Sequence, residues 1–274
     1  MFTTNPFFEL SGLISPLAMK VYVIAMVLLF ACGTLLDTLH KKSAKYFFEN
    51  SENQKKIARR QVSAGEKVAI AVKTLAVDVL ASGEFCNQRR RVAHLLGMYG
   101  FVLFVVTTAI LIFGYAESAA PAILPLLWHV GALMVCIGGY WFWFFIRVDV
   151  AAEGHPWYRV MRADLFILAL LATTTFALLW SVFAATFFFV LFIAAATVLF
   201  GTVLWSKFAH MFFKPAAAFH KRVTKADGSR ENLPEVPDLT DPAVQQRYPD
   251  IPEYLGINPP NMGLGIKREA PSHY

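Results

Sequence analysis

The chain has 274 residues, of which 57% are hydrophobic and 16% charged, with 25 Lys and Arg against 19 Asp and Glu. The apolar residues form long runs and the basic residues gather between them, so the net charge of +6 needs no nucleic-acid partner to explain it. The three cysteines, Cys32, Cys86 and Cys136, form no CxxC or CxxxC cluster, which excludes a recognisable iron–sulfur or zinc site carried by this chain alone.

Crossing a hydrocarbon core of about 30 Å takes roughly twenty apolar residues. Residues 13–36 form the first such run, and because it follows an acidic leader and is long enough to remain a span, no cleavable signal is expected. Residues 37–91 follow as a basic loop. Its first part, KKSAKYFFENSENQKKIARR, is charged and helical in pieces, whereas Glu66 to Leu80 sets Val68, Val72, Leu75, Val79 and Leu80 near one side of a helix. Such an amphipathic helix lies on a membrane or under a partner. Residues 92–115 and 121–146 are the second and third spans. The run 165–205 contains no charged residue and is about twice the length one span needs, so it divides near Ala184 into two helices joined by a tight turn.

The expected fold is therefore all-α, a five-span transmembrane bundle with its N-terminus outside, its C-terminus cytoplasmic and an extended C-terminal tail. That topology puts segments 37–91, 147–162 and 206–274 in the cytoplasm, and these hold every Lys and Arg except Lys20. Lys20 lies near the outer end of its helix, where its stem can carry the ammonium to the interface. A multi-pass protein of the inner membrane results, in contact with lipid and divided as 1–36, 37–91, a four-span unit 92–222 and a tail 223–274. The basic loop is suited to anionic lipid.

Two histidines fall at the same edge of two spans. His94, in RRRVAHLLGMYGF, opens the second, and His210, in LWSKFAHMFFKP, closes the fifth, both on the cytoplasmic side. Two imidazoles at equal depth on facing helices are what a bis-histidine b-type haem requires, with cations near the propionates. Arg89, Arg90, Arg91 and Lys207 supply the cations. Histidines that merely mark an interface would give the same pattern. His129, in the outer half of the third span, has no histidine at similar depth and reads as a hydrogen-bonded packing residue; His40 and His220 lie near the cytoplasmic face.

The loop DVAAEGHPWYRVMRAD surrounds His155 with Arg147, Asp149, Arg159, Arg162 and Asp164, protonatable groups such as a quinone headgroup uses, with His155 and Arg159 the candidates. A solvated interfacial loop would look alike. The run Tyr140 to Phe145 reads as an aromatic interface belt, or as part of a cleft for an isoprenoid tail. Beyond Asp227 the chain is rich in Pro, Asn and Gly and has no helical or strand period, yet it keeps Tyr248, Ile251, Tyr254, Leu255, Ile257 and Leu264 as apolar anchors. A docking arm for a soluble protein combines those properties.

The five-span order, RRRVAHLLGMYGF and WSKFAHMFFKP resemble the nitrate reductase gamma-like and heterodisulfide reductase-type membrane cytochromes b, over residues 85–222. The resemblance implies electron transfer between membrane quinone and a cytoplasmic redox partner, normally through two b haems. His94 and His210 match the pair nearer the cytoplasm. The second pair would need histidines about ten residues after His94 and about eighteen before His210, where this chain has Phe104 and Phe192, so the resemblance supports one haem b at most. The single pair and the tail look most like the membrane anchors associated with adenylylsulfate reductase, implying a cytoplasmic flavin and iron–sulfur oxidoreductase as partner. A haem-free structural anchor is the alternative. A transporter ranks below both, since near mid-membrane the last two spans offer only threonines such as Thr173, Thr174, Thr175 and Thr197.

Overall fold

The computed structural model of the chain describes residues 2–40, 43–83, 85, 87–147, 158–203, 210–229 and 241–247. Its elements are α1 (Pro6–Leu10), α2 (Pro16–His40), α3 (Ser43–Ile57) and α4 (Ala64–Lys73), which runs into a π-helical segment, Thr74–Leu80. There follow α5 (Gln88–Tyr115), α6 (Ile123–Trp141) with a second π segment Phe142–Ile146, and α7 (Leu165–Phe183), entered through a 3₁₀ turn at Arg162–Asp164. The chain then forms α8 (Thr186–Gly201), α9 (His210–Asp227) and α10 (Pro242–Arg247). Among the described residues there is no strand, and the protein is all-helical as its sequence requires.

Among the described residues, four helical stretches are long and apolar enough to cross a membrane: Pro16–His40, Gln88–Tyr115, Ile123–Ile146 and Arg162–Phe183. The expected fifth span is shorter than its apolar run. α8 has 16 residues, about 24 Å at 1.5 Å per residue, against a core of about 30 Å. It stops at Gly201, where Thr202 leaves helical geometry and turns both its N–H and its hydroxyl back to the Val198 carbonyl. Residues 204–209 lie outside the described residues, and His210 is the first described residue of the next helix, α9. The turn near Ala184 is present: Ala184 takes a left-handed conformation (φ 51°) and its N–H bonds the Trp180 carbonyl, ending α7 with a two-residue link to α8. An alanine there carries the Cβ strain that glycine would avoid.

Small residues let α5 and α6 approach closely. A Cβ on Gly100 would stand 2.7 Å from the Met134 Cβ and 2.8 Å from the Gly131 carbonyl, and one on Gly138 would stand 2.7 Å from the Ala93 carbonyl. Without a hydrophobic drive between helices in lipid, such backbone proximity supplies the packing. Beside this seam, Phe7, Phe104, Trp128, Trp180, Phe189 and Phe192 form a buried aromatic core. The Trp128 indole N–H is satisfied by the Thr108 hydroxyl at 2.9 Å. α2 lies along α8: Tyr22 donates to the Ile193 carbonyl at 3.1 Å, and Val203 fills the space beside Gly33. Its other face leaves Leu17, Val21, Ile24 and Leu28 exposed, as suits a helix in contact with lipid.

At the end of the bundle that carries Arg89, Arg147 and Arg162, helices α3, α4 and α9 pack together. Arg222 of α9 grips Asp78 of the π segment through Nε and Nη2 at 2.8 and 2.9 Å. At the end of α9, the Gln54 side-chain amide donates to the Asp227 carboxylate, and the Arg59 N–H donates to the Asp227 carbonyl at 2.9 Å.

Candidate functional site

The N-terminus of α5 is built by Asn87, whose side-chain oxygen accepts from the Arg89 and Arg90 N–H groups at 2.9 and 3.3 Å. The preceding turn is folded back onto the helix. Ser82, fully buried, has φ 49°, and the Gly83 N–H bonds the Val77 carbonyl at 2.7 Å. Arg91 Nε donates to the Ala81 carbonyl at 2.8 Å and the Tyr99 hydroxyl to the Leu80 carbonyl at 2.7 Å, fixing this turn against the first three turns of α5.

His94 stands in that frame. Its Nδ1 is hydrogen-bonded with the Ser82 hydroxyl at 2.9 Å, and its ring lies 4.9 Å from the Phe85 ring. When Nδ1 carries the ring proton, Nε2 is the basic nitrogen, which is how an outer hydrogen bond prepares an imidazole for ligation. His94 is exposed, and seven residues on, along the same face, Phe101 packs against the buried cluster of Val135, Ala169, Leu170, Leu199 and Val203. α9 reaches the same place: the Lys214 ammonium lies 4.9 Å from the centre of the Phe85 ring, one helical turn after His210. An oriented imidazole, an aromatic ring and a cation thus gather at this turn.

Deeper in the bundle the residues do not fit a haem. Phe104 and Phe192 are buried with their rings 6.4 Å apart. Trp128 lies 5.2 Å from Phe104 and Trp180 stacks on Phe192 at 6.0 Å. Neither phenylalanine can ligate iron.

No family model, curated protein or solved structure matches the chain. The site therefore stands on its own geometry.

The remaining candidates separate into those the bundle engages and those outside the described residues. His129 is buried, bonded through Nδ1 to the Pro125 carbonyl and through Nε2 to the Ser181 hydroxyl, both at 2.6 Å, which is the packing role expected of it. Arg147 donates from Nε to Asp164 at 2.9 Å, closes a second bond to the same carboxylate, reaches the Arg159 carbonyl at 2.7 Å and covers the Trp143 ring at 4.1 Å. Arg147 and Asp164 thus clamp the start of α7 to the end of α6, and of that loop's charges Arg159 keeps an exposed side chain. Three threonines of α7 and α8 bond back on their own helices, Thr173 to Ala169, Thr174 to Leu170 and Thr197 to Ile193, while the Thr175 hydroxyl is hydrogen-bonded with that of Tyr140 at 2.8 Å and the Thr197 hydroxyl with that of Tyr22 at 3.0 Å. The aromatic run divides, with Trp143 buried and Phe144 and Phe145 exposed.

His155, Lys207, Tyr248, Ile251, Tyr254, Leu255, Ile257 and Leu264 lie outside the described residues, as does the side chain of His210. Sequence reasoning missed Ser82 and Phe85 as neighbours of His94, Lys214 over the Phe85 ring, and the Asp78–Arg222 pair. The Ser82-Gly83 dipeptide was the available signal for the turn; nothing in the sequence announces a contact 144 residues apart.

Proposed function

We propose that the chain is a five-span, inner-membrane anchor and electron-transfer subunit, with its basic end cytoplasmic. Its soluble partner is a flavin and iron–sulfur oxidoreductase of the adenylylsulfate reductase type, and quinone is the electron acceptor or donor in the bilayer. The observation that carries this reading is the oriented His94 imidazole, bonded to Ser82 and packed beside Phe85, whose ring the Lys214 ammonium approaches at the basic end. His94 and His210 would ligate one b-type haem, which supplies one-electron redox chemistry when bound. Arg90, Arg91 and Lys207 would neutralise its propionates. Ser82 holds the His94 ring, and the Arg91 bond to Ala81 keeps the turn closed beside it. His155 and Arg159 would face the quinone headgroup.

The aromatic filling at Phe104 and Phe192 favours a second reading in one respect, since it leaves no wire across the bilayer: a haem-free anchor that only holds the enzyme at the membrane. The two readings part on one spectrum. A dithionite-reduced minus oxidised difference spectrum of the purified chain, with haem quantified, is expected to give about one b-type haem per chain, and His94→Ala and His210→Ala should each abolish it while leaving the protein in the membrane. Haem retained in both variants overturns the ligation; no haem in folded protein produced with haem available leaves the anchor reading alone.

A further inference from the structure

In a helix docked on a soluble protein the apolar stripe faces inward. α4 and its π extension are inverted. The side turned to α9 is largely polar: Thr74 is buried and Asp78 is held by Arg222. The opposite side leaves Val68, Val72, Leu75 and Leu80 exposed at 63%, 60%, 55% and 48%. The switch from α to π geometry produces this sorting. The five-residue spacing of the π turn carries Leu80 onto the line of Leu75, while Val79, which an unbroken α-helix would put there, is partly covered.

Two further observations say what covers that stripe. The C-terminal end of the segment is fastened to a membrane-spanning helix, the Leu80 carbonyl to the Tyr99 hydroxyl and the Ala81 carbonyl to Arg91, so Leu80 is continuous with the apolar surface of α5. Lys67 and Lys73 are exposed on the flanks of the stripe, and Arg89 is exposed at the start of α5, a charge arrangement complementary to anionic headgroups.

We propose that residues 64–80 form an in-plane membrane helix, its polar side held by α9 and its stripe of Val68, Val72, Leu75 and Leu80 inserted into an anionic leaflet at the basic end of the bundle. The helix so placed fixes α9, and with it Lys214, at headgroup depth. The inference goes beyond the proposed function and does not depend on haem or on a partner.

The test uses the full chain in vesicles of phosphatidylethanolamine and phosphatidylglycerol. With Cys32, Cys86 and Cys136 replaced by Ser, single cysteines at Val68, Val72, Leu75, Lys67 and Lys73 are labelled with an environment-sensitive fluorophore. Labels at the three apolar positions should be quenched by spin-labelled lipid from a depth of about 5–10 Å, and those at the two lysines by aqueous iodide. A second measurement needs no substitution: photolysis of a lipid with a diazirine in its acyl chain should leave adducts on Val68, Val72, Leu75 or Leu80 and none on Thr74 or Asp78. Iodide quenching at all five positions, or shielding of the stripe from both quenchers by a second copy or another protein, overturns the proposal, as does the absence of lipid adducts between residues 64 and 80.

Discussion

Asp78 and Arg222 tie the π segment to α9, with side chains 12% and 29% exposed. The Asp78 hydrogen bond holds the Arg222 guanidinium above its ordinary pKa, so this cation stays charged at any pH the protein meets. Asp78→Asn keeps the shape but loses the charge-assisted pair, at a cost of about 1.5–3 kcal/mol. That loss should appear locally: amide exchange across residues 210–227 is expected to quicken by roughly tenfold or more, with the spans unaffected, since about 1.4 kcal/mol corresponds to a factor of ten. At this scale the sequence was only partly legible. His94 stood out because a histidine near the start of an apolar helix is conspicuous, but its bond to Ser82 depends on a backbone turn with positive φ, which composition and periodicity do not encode.

At the scale of elements, what holds α5 to α6 is backbone proximity at glycines. The atoms that a Cβ on Gly100 would strike include the Gly131 carbonyl and the Val135 nitrogen, 2.8 and 2.9 Å away, and neither can rotate aside. Gly100→Ala is therefore expected to push the helices apart and to destabilise the bundle by about 1–3 kcal/mol, read as a lower thermal midpoint in detergent, with Gly97→Ala, which meets open space, as the neutral control. The spans themselves were legible because a run of some twenty apolar residues has few alternatives. The exception was the fifth. Residues 202–205 are apolar enough to extend the run, but the Thr202 backbone leaves helical geometry after Gly201, a departure that hydropathy does not register. The inverted docking of α4 was open for a related reason: amphipathicity identifies two faces without saying which meets protein.

For the whole molecule, the layer of α3, α4 and α9 ends at Asp227, whose carboxylate and carbonyl are bound by Gln54 and Arg59. Truncation after Asp227 leaves those contacts in place and removes Tyr248, Ile251, Tyr254, Leu255, Ile257 and Leu264. If the tail is the proposed docking arm, the shortened chain should reach the membrane at normal yield while the soluble oxidoreductase no longer co-purifies with it; continued co-purification would move the contact to the basic layer. The two-residue link at Ala184 bears on how the protein is made. Residues 165–203 contain no charged side chain, so the link between α7 and α8 offers the insertion machinery no charge by which to orient one helix apart from the other. If α8 crosses the bilayer as proposed, the two helices insert as a hairpin with cations at both outer ends, Arg147, Arg159 and Arg162 before it and Lys207 and Lys214 after it, and a charge added to the link would compete with both sets.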